Sequence, residues 1–588
     1  MTNLVAAPGW DPVPQLETYT PALGGPGGPM NSQAQALLNR QERMLADLTA
    51  RLYRRSVDPA DPQWGAVPGA ITDQSTALQA SLNDLHAMGG GVWCPTPGVY
   101  KCLNPLTSYE DIHIQAFGVT LDFSGQSSYM TSVDRGLLVV RGTATSQVNF
   151  AADALAGAMS FSATSVADIA PGDLIEMSLP TANINNWSDT SVGVFTGQLN
   201  YVVDIIGTTV FIDSVIYDDM LLSDGARFRK VNPLRNVVIE GLTMIGKGRD
   251  VSTVGDVGIS LFFCENPRVS DCRFVGVDQR SLNFISCVNF EANHNQFKFN
   301  AKGTNASVNY GITYSCSRNG DIHHNVAANM RHGIVSSHLS GSLTNKYYGI
   351  SRNIRIHHNH ISNSWHGGIA THSDAEHVFV DDNILSSCAF GVNLRDRNAS
   401  ASRNFFENGT GASLLLSVKP RKQYFSKNRF LNCDVILSQS SIEAGHKMTD
   451  ITVDGCYIEG GTGQIVFTPD ATSGANTNIN VINTVASNVT GPGGSSAMIR
   501  FNGNIRGTIR GNILYNCANI SGVSLASTAK ARVIDNELTN IGLTAFNMGN
   551  ATGSYLGGNF YAGYATGITA VTGVTIGSNA DGGAAAVT

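Results

Sequence analysis

No apolar stretch in this 588-residue sequence approaches the length of about 20 residues that a membrane-crossing helix needs. The N-terminus has no charged-then-apolar signal region either, so the expectation is a chain made and folded in a cytoplasm. Charge is sparse at 14%, and no basic run relieves the net charge of −7, so nucleic acid is not an expected partner. The ten cysteines lack metal-ligand spacing and read as small core residues, not as disulfide or zinc partners. Helical periodicity is also missing from most of the chain. What replaces it is an abundance of Gly, Asn, Ser and Thr, as turn-dense β architectures require.

From about Val237 to Asn559 an asparagine keeps returning. It appears as Asn295 (HNQF), Asn325 (HNVA), Asn359 (HNHI), Asn383 (DNIL), Asn404 (RNFF) and Asn428 (KNRF). It continues as Asn483 (INTV), Asn512 (GNIL), Asn536 (DNEL) and Asn559 (GNFY), with Cys272 and Cys456 in the same slot. An apolar residue stands three positions earlier in most copies, as at Ile322, Ile356, Val380 and Val533. A second marker, a small residue opening an alternating apolar strand, is interleaved: Gly258, Ser281, Gly311, Gly333, Gly368 and Gly391.

Successive markers lie about 21 to 35 residues apart, the range of a solenoid. Each interval holds three short apolar strands that cannot bury their face alone, so coils must stack at about 4.8 Å. An asparagine at one turn of each coil then hydrogen-bonds along the stack. The prediction is an all-β chain, a right-handed parallel β-helix of about a dozen three-stranded coils, with a short N-terminal helical segment and a small inserted β subdomain.

In chain order, residues 1–56 open with a Pro/Gly-rich run and then a helix over 31–55, in which Ser32 and Gln35 form a capping box. Leu38, Leu45 and Leu52, spaced by seven, fit either a short coiled coil or an amphipathic helix on its own domain. The string from Trp10-Asp11 through Gly24-Gly25-Pro26-Gly27-Gly28-Pro29 to QAQALLNR resembles the N-terminal segment shared by many bacteriophage tail fibre and tailspike proteins. The resemblance implies a segment that fastens the protein to a phage tail or baseplate.

A linker spans 57–72, and 73–145 hold a helix cap and the first coils. Here Gly89-Gly90-Gly91, Val92-Trp93-Cys94 and Pro97-Gly98-Val99-Tyr100 are similar to the opening of the pectate-lyase-like β-helix superfamily. That superfamily includes lyases, hydrolases, epimerases and inert scaffolds, so it specifies fold and not substrate. Periodicity lapses over 146–230, which read as an inserted antiparallel β subdomain containing Trp187 and Tyr201. The main β-helix follows over 231–560, then C-terminal coils or a tail over 561–588.

Alternation along the strand after the glycine marker sends His372 outward on one coil, and Asn393 and Arg395 outward on the next. The following turns are expected to add Asp374, Glu376 and Asp396. Arg331-His332, Ser337-His338 and Trp365-His366 bracket the same patch. His372, Asp374, Glu376, Arg395 and Asp396 are therefore the catalytic candidates. Arg331, His338, Trp365, His366 and Asn393 are the substrate-binding candidates, and Glu407 and Glu443 are outlying carboxylates.

Hydrolysis of a glycosidic bond needs two carboxyl groups. Elimination from a uronic acid needs a base and a cation. The residues leave both open, and the aspartate pair of polygalacturonase-like members is absent. His323-His324, His357-His358 and Asp381-Asp382 form a second stack, expected to bond along itself and not to bind metal. No metal or cofactor is expected.

The two resemblances together imply a virion-attached homotrimeric tailspike, a glycoside hydrolase or polysaccharide lyase that binds and depolymerises a bacterial capsule, exopolysaccharide or O-antigen. The alternatives are a non-catalytic receptor-binding tail protein on the same fold and a bacterial pectinase-like enzyme.

Overall fold

A computed structural model of the chain describes residues 55–129, 136–182, 195–248, 255–298, 309–337, 349–372, 375–395, 397–418, 420–442, 447–468, 476–492, 496–526, 529–549, 551–570 and 573–581. The helix expected over 31–55 falls, but for Arg55, outside the described residues. So do Trp187, His338, Asp374, Asp396 and Glu443.

The chain is a right-handed parallel β-helix with a small antiparallel β insert. One coil shows the plan: Ser351–His357, then His360–Ser362, then Gly367–Ala370. The next coil, Ala375–Asp381, Ile384–Ser386 and Phe390–Leu394, pairs with it strand by strand, in parallel and in register. Three ladders result: a long-strand face, a short-strand face and a third face that begins at the glycine marker. Alternate residues such as Ile354, Ile356, Ile361 and Ile369 point inward and form one continuous core.

The asparagine slot is a buried amide ladder. The Nδ2 group of Asn359 donates to Asn383 Oδ1 at 2.9 Å, and the same oxygen accepts the Asn359 backbone N–H. Asn383 repeats both bonds to Asn404, and Asn404 repeats them to Asn428. The residue before each asparagine turns the chain, at φ 54 for His358 and φ 57 for Asp382, a left-handed conformation that Asn, Asp and His tolerate.

One assignment shifts. Asn483 is the exposed turn residue (φ 53), and Thr484 occupies the ladder slot, its N–H bonded to Asn512 Oδ1. Beyond Asn559 the ladder runs one rung further, to Asn579. The glycine marker also has a steric cause. A Cβ at Gly258 would lie 2.3 Å from the Ser281 carbonyl oxygen of the next coil, and one at Gly311 would lie 2.4 Å from that of Gly333.

At the N-terminal end, the helix α1 (Ser75–Ala87) lays Leu78, Leu82 and Leu85 over the first coil. Trp93 Nε1 donates to Ser81 Oγ at 2.8 Å, tying helix to strand. Its start is fixed by the Asp73 carboxylate, which accepts the backbone N–H groups of Ser75 and Leu103. This closure covers backbone that an open coil would leave unpaired.

Between Thr143 and Asn232 the chain leaves the coils to form a seven-stranded antiparallel sheet. Phe150, Phe161 and Phe228 stack at its centre. Leu174, Leu199 and Val231 press the sheet onto Phe262, Phe263 and Ile285 of the coils. Nine of the ten cysteines are buried and all are free thiols, as a core role requires. Among the described residues, no helix is long and apolar enough to cross a membrane.

Candidate functional site

Four successive strands of the third face start with Tyr310, His332, Gly367 and Phe390. Each stands directly before the glycine marker or its equivalent, so parallel register places these residues in one column along the stack. The Tyr310 and His332 rings stack at 5.5 Å, tilted by only 9°. Gly367 leaves the next position open, and the His332 ring lies across it: a Cβ there would meet Nδ1 at 2.8 Å. His366 then sits 4.9 Å from His332 and 5.4 Å from Phe390, edge-on to both.

The cations come from the same coils. Arg331 donates from Nη1 to the Tyr310 hydroxyl at 2.8 Å, with its guanidinium 5.5 Å from the ring centre. Its Nε is buried without a hydrogen-bond partner. His372 closes the far side, its ring 5.9 Å from His332 and 6.5 Å from Tyr310. Arg395 lies two residues past the pairing of Ala370 with Asn393, the register position of His372 one coil on, and its N–H bonds Thr371 Oγ1.

His332 is 1% exposed. Its Nδ1–H donates to the Gly367 carbonyl at 3.0 Å, which leaves Nε2 as a buried lone pair with no protein donor. Burial, then His366 and Arg331, hold His332 well below the usual histidine range. Burial and the charges of Arg331 and Arg395 push His366 down to about 4. Both imidazoles are neutral at pH 7, in a positive local field.

Of the residues predicted from sequence, Arg331, His366, His372 and Arg395 are brought together here. Trp365 is half-buried and packs on the β-helix core. Asn393 is 1% exposed, so the expected outward amide is a buried one. Asp374, Asp396 and His338 lie outside the described residues. Glu407 ends the short strand Phe405–Glu407 and faces elsewhere.

Glu376 needs correction. It is not a turn residue but the second residue of the strand Ala375–Asp381, buried where the insert docks. Its carboxylate accepts from Arg352 Nε at 3.2 Å, Arg397 Nη2 at 3.4 Å and Asn398 Nδ2 at 2.8 Å, and Arg397 Nε stands 2.9 Å away as an ion pair. Asp218 of the insert binds the same two arginines, at 3.1 and 2.6 Å. Arg352 also lies over the Tyr217 ring at 4.2 Å and donates to the Gly197 carbonyl. This ionic knot clamps the insert to the coils immediately past His372, so the insert forms one bank of the cluster.

Sequence reasoning missed Tyr310 and Phe390, and it named His332 beside Arg331 without giving it a role. A signal for them existed. Aligning the coils on the glycine marker puts Arg280, Tyr310, His332, Gly367 and Phe390 in one column.

The second histidine stack behaves differently. His324 and His358 stack at 5.1 Å and 2°, and His323 and His357 at 5.0 Å and 11°. His323 Nε2 is bound to Glu291 at 3.2 Å and His357 Nε2 to Asp321 at 2.8 Å. Nδ1 of His323 is 2.8 Å from Nδ1 of His324, and His357 and His358 repeat the contact. The stack thus bonds along itself. Among the described residues, no group of three or more His, Cys, Asp or Glu is placed to hold a metal ion.

No protein-family pattern matches the chain, and no curated protein matches its sequence. Solved structures do match. The tailspike gp61 of Pseudomonas phage phi297 aligns over 89% of this chain and 82% of its own, with a TM-score of 0.54 at 16% identity. The tailspike gp49 of Pseudomonas phage LKA1 aligns over 88% and 84%, with a TM-score of 0.54 at 15% identity. The gp54 tailspike of Acinetobacter baumannii bacteriophage AP22, solved with an A. baumannii capsular saccharide, aligns over 91% and 75%, at 0.51 and 13%. At such identities the likeness concerns architecture alone, and the architecture is clear: this chain has the right-handed parallel β-helix fold seen in phage tailspikes.

Proposed function

We propose that the protein is a phage tailspike that binds a bacterial surface polysaccharide (capsule, exopolysaccharide or O-antigen) and depolymerises it by glycosidic hydrolysis or β-elimination. The observation that carries this reading is the convergence of Tyr310, Arg331, His332, His366, His372 and Arg395 from successive coils onto one face, beside the docked insert. Stacked rings offer flat apolar surface to a sugar, guanidinium groups grip its oxygens, and neutral imidazoles accept protons. Residues 1–56 attach the spike to the phage tail or baseplate, and three chains assemble as a homotrimer in the virion, where closed symmetry suits a tail.

A non-catalytic receptor-binding protein is the second reading. One observation favours it: the carboxylate of Glu376 is committed to Arg352 and Arg397, so it is not available as an acid.

Incubating the protein with purified capsular polysaccharides and lipopolysaccharides separates the two. New reducing ends mark hydrolysis, and ultraviolet absorbance of a new double bond marks elimination. Binding to one polymer without cleavage of any would leave the receptor-binding reading and overturn the enzyme. His372→Ala is expected to lower turnover by about 10²-fold, the scale for loss of an acid–base group. His357→Ala, on the other stack, should leave turnover near that of the unaltered protein. The reverse pattern would move the site to the histidine stack.

A further inference from the structure

Arg331 brings positive charge to the cluster within a chain whose net charge is −7. Arg331 has no carboxylate partner among the described residues. Its one hydrogen-bond partner is the neutral Tyr310 hydroxyl, which orients the guanidinium and leaves its charge uncompensated. Such a group, with a buried and unpartnered Nε, is costly unless a ligand completes it. The His332 Nε2 lone pair, fully buried, is a second incomplete polar group aimed into the same space.

Register fixes what lies beside Arg331. It is the stack neighbour of His366, as the bond from the Gly367 N–H to the Arg331 carbonyl shows. His332 and Phe390 lie edge-on to the His366 ring, and His372 lies beyond His332.

We propose that this face takes an acidic sugar, whose carboxylate seats on Arg331 beside the His366 ring. The inference rests on the polysaccharide reading above and adds the chemical class of the polymer. It has a consequence that a neutral glycan would not produce. A bound carboxylate cancels the field of Arg331, and that field is part of what keeps His366 deprotonated. Binding then raises the affinity of His366 for a proton, so ligand and proton are taken up together in mildly acid solution. His332, whose ring faces His366 and which Arg331 also holds down, is subject to the same compensation. Tyr310 acts as a positioning residue, through Arg331.

The test uses the full-length protein and uronic-acid-containing capsular polysaccharides, each beside its own carboxyl-reduced form, with binding followed by titration calorimetry. At least one acidic polymer should bind, weaken as salt is raised, and lose roughly 10- to 100-fold in affinity on reduction. Arg331→Met should reproduce that loss on the acidic form and cost the reduced form markedly less. Tyr310→Phe should show a smaller loss of the same kind. Titrations at about pH 5 in two buffers of different ionisation enthalpy should reveal proton uptake, which His366→Gln diminishes.

Equal binding of acidic and reduced forms, with Arg331→Met silent, would overturn the acidic class and leave the polysaccharide reading standing. Binding without proton uptake would overturn the seat at His366. Failure to bind any polymer, acidic or reduced, would overturn both. Circular dichroism of each variant against the unaltered protein excludes misfolding as the cause of a loss. If Arg331→Met misfolds, the reduced-polymer comparison on unaltered protein decides alone.

Discussion

Replacing Glu376 by glutamine should loosen the insert, and the size of the effect follows from the charges around it. Two arginines and two carboxylates meet at this knot: Arg352, Arg397, Asp218 and Glu376. The sum is neutral. Side-chain exposure is 4% for Arg352 and 3% for both acids, against 30% for Arg397, so the Arg352 contacts are the dry ones. Glu376→Gln leaves one net positive charge with two donors facing a neutral amide. Breaking one partner of a buried pair costs about 3–5 kcal/mol, most of it the penalty of the stranded charge. The water-accessible side of Arg397 argues for the lower end of that range.

Removing Arg352 in the same molecule, as Glu376→Gln with Arg352→Met, restores neutrality and keeps a long apolar stem against Tyr217. The double variant should therefore lose less than the sum of the two single changes. Hydrogen exchange of the insert strands Leu174–Ala182 and Arg227–Asn232 reads the effect locally, with urea unfolding as the global measure. A Glu376→Gln protein whose insert exchanges as slowly as before would refute the clamp. If that variant also lost turnover, Glu376 would return as a catalytic candidate.

Three further outcomes are expected. His324, His332, His357 and His366 are all held below the usual histidine value of 6.5, with burial as the leading cause. Depressed folded-state values mean that the unfolded chain binds these protons more tightly, so stability is full above 6.5 and falls as pH drops toward the folded values. Melting temperature followed from pH 8 downward should be flat and then decline, and a rise on acidification through this window would contradict the argument. In the amide slot, Asn512→Ala should cost at least about 2 kcal/mol, because it strands the Thr484 N–H and removes the amide donor to the Val481 carbonyl and the Asn536 oxygen. Asn483→Ala should cost on the order of 1 kcal/mol, from the left-handed turn alone, and equal losses would restore the sequence-based assignment. Finally, Val326, Ile384, Ile513 and Phe560 are exposed apolar residues in one row of the short-strand face, interrupted by His360, Arg429 and Glu537. If three chains pack on that row, Ile384→Asp with Ile513→Asp should shift sedimentation from trimer to monomer, and an unmoved trimer would place the contact on another face.

Much of this architecture was legible because a solenoid writes its register into the sequence. The asparagine and the glycine each sit where one coil presses on the next, so their spacing gave the strands and the inward and outward positions. That is why Arg331, His366, His372 and Arg395, far apart in sequence, could be grouped before any coordinates. The failures share a different cause. Glu376 and Asn393 were correctly spaced for exposure, but packing against the coil surface buries them. For Glu376 that cover is the insert, whose docking leaves no periodic mark. Asn483 misled because threonine can fill an asparagine slot while an asparagine takes the turn beside it. Tyr310 and Phe390 escaped, and His332 went without a role, because the column before the glycine was not aligned across coils.

The amide ladder is not continuous. It runs from Asn295 to Asn428, lapses at Cys456 and Thr484, and resumes from Asn512 to Asn579. Considered as a mechanical element, the shaft is two zipped rods joined by a seam where amide-to-amide bonds give way to strand bonds, apolar packing and scattered side-chain bonds such as Asn483 to Asp454. A load along the axis is shared evenly within each rod but meets its weakest cross-section at the coils of Cys456 and Thr484. Stretched from its ends, the molecule should part there first, leaving the rod that bears the His366 face still wound.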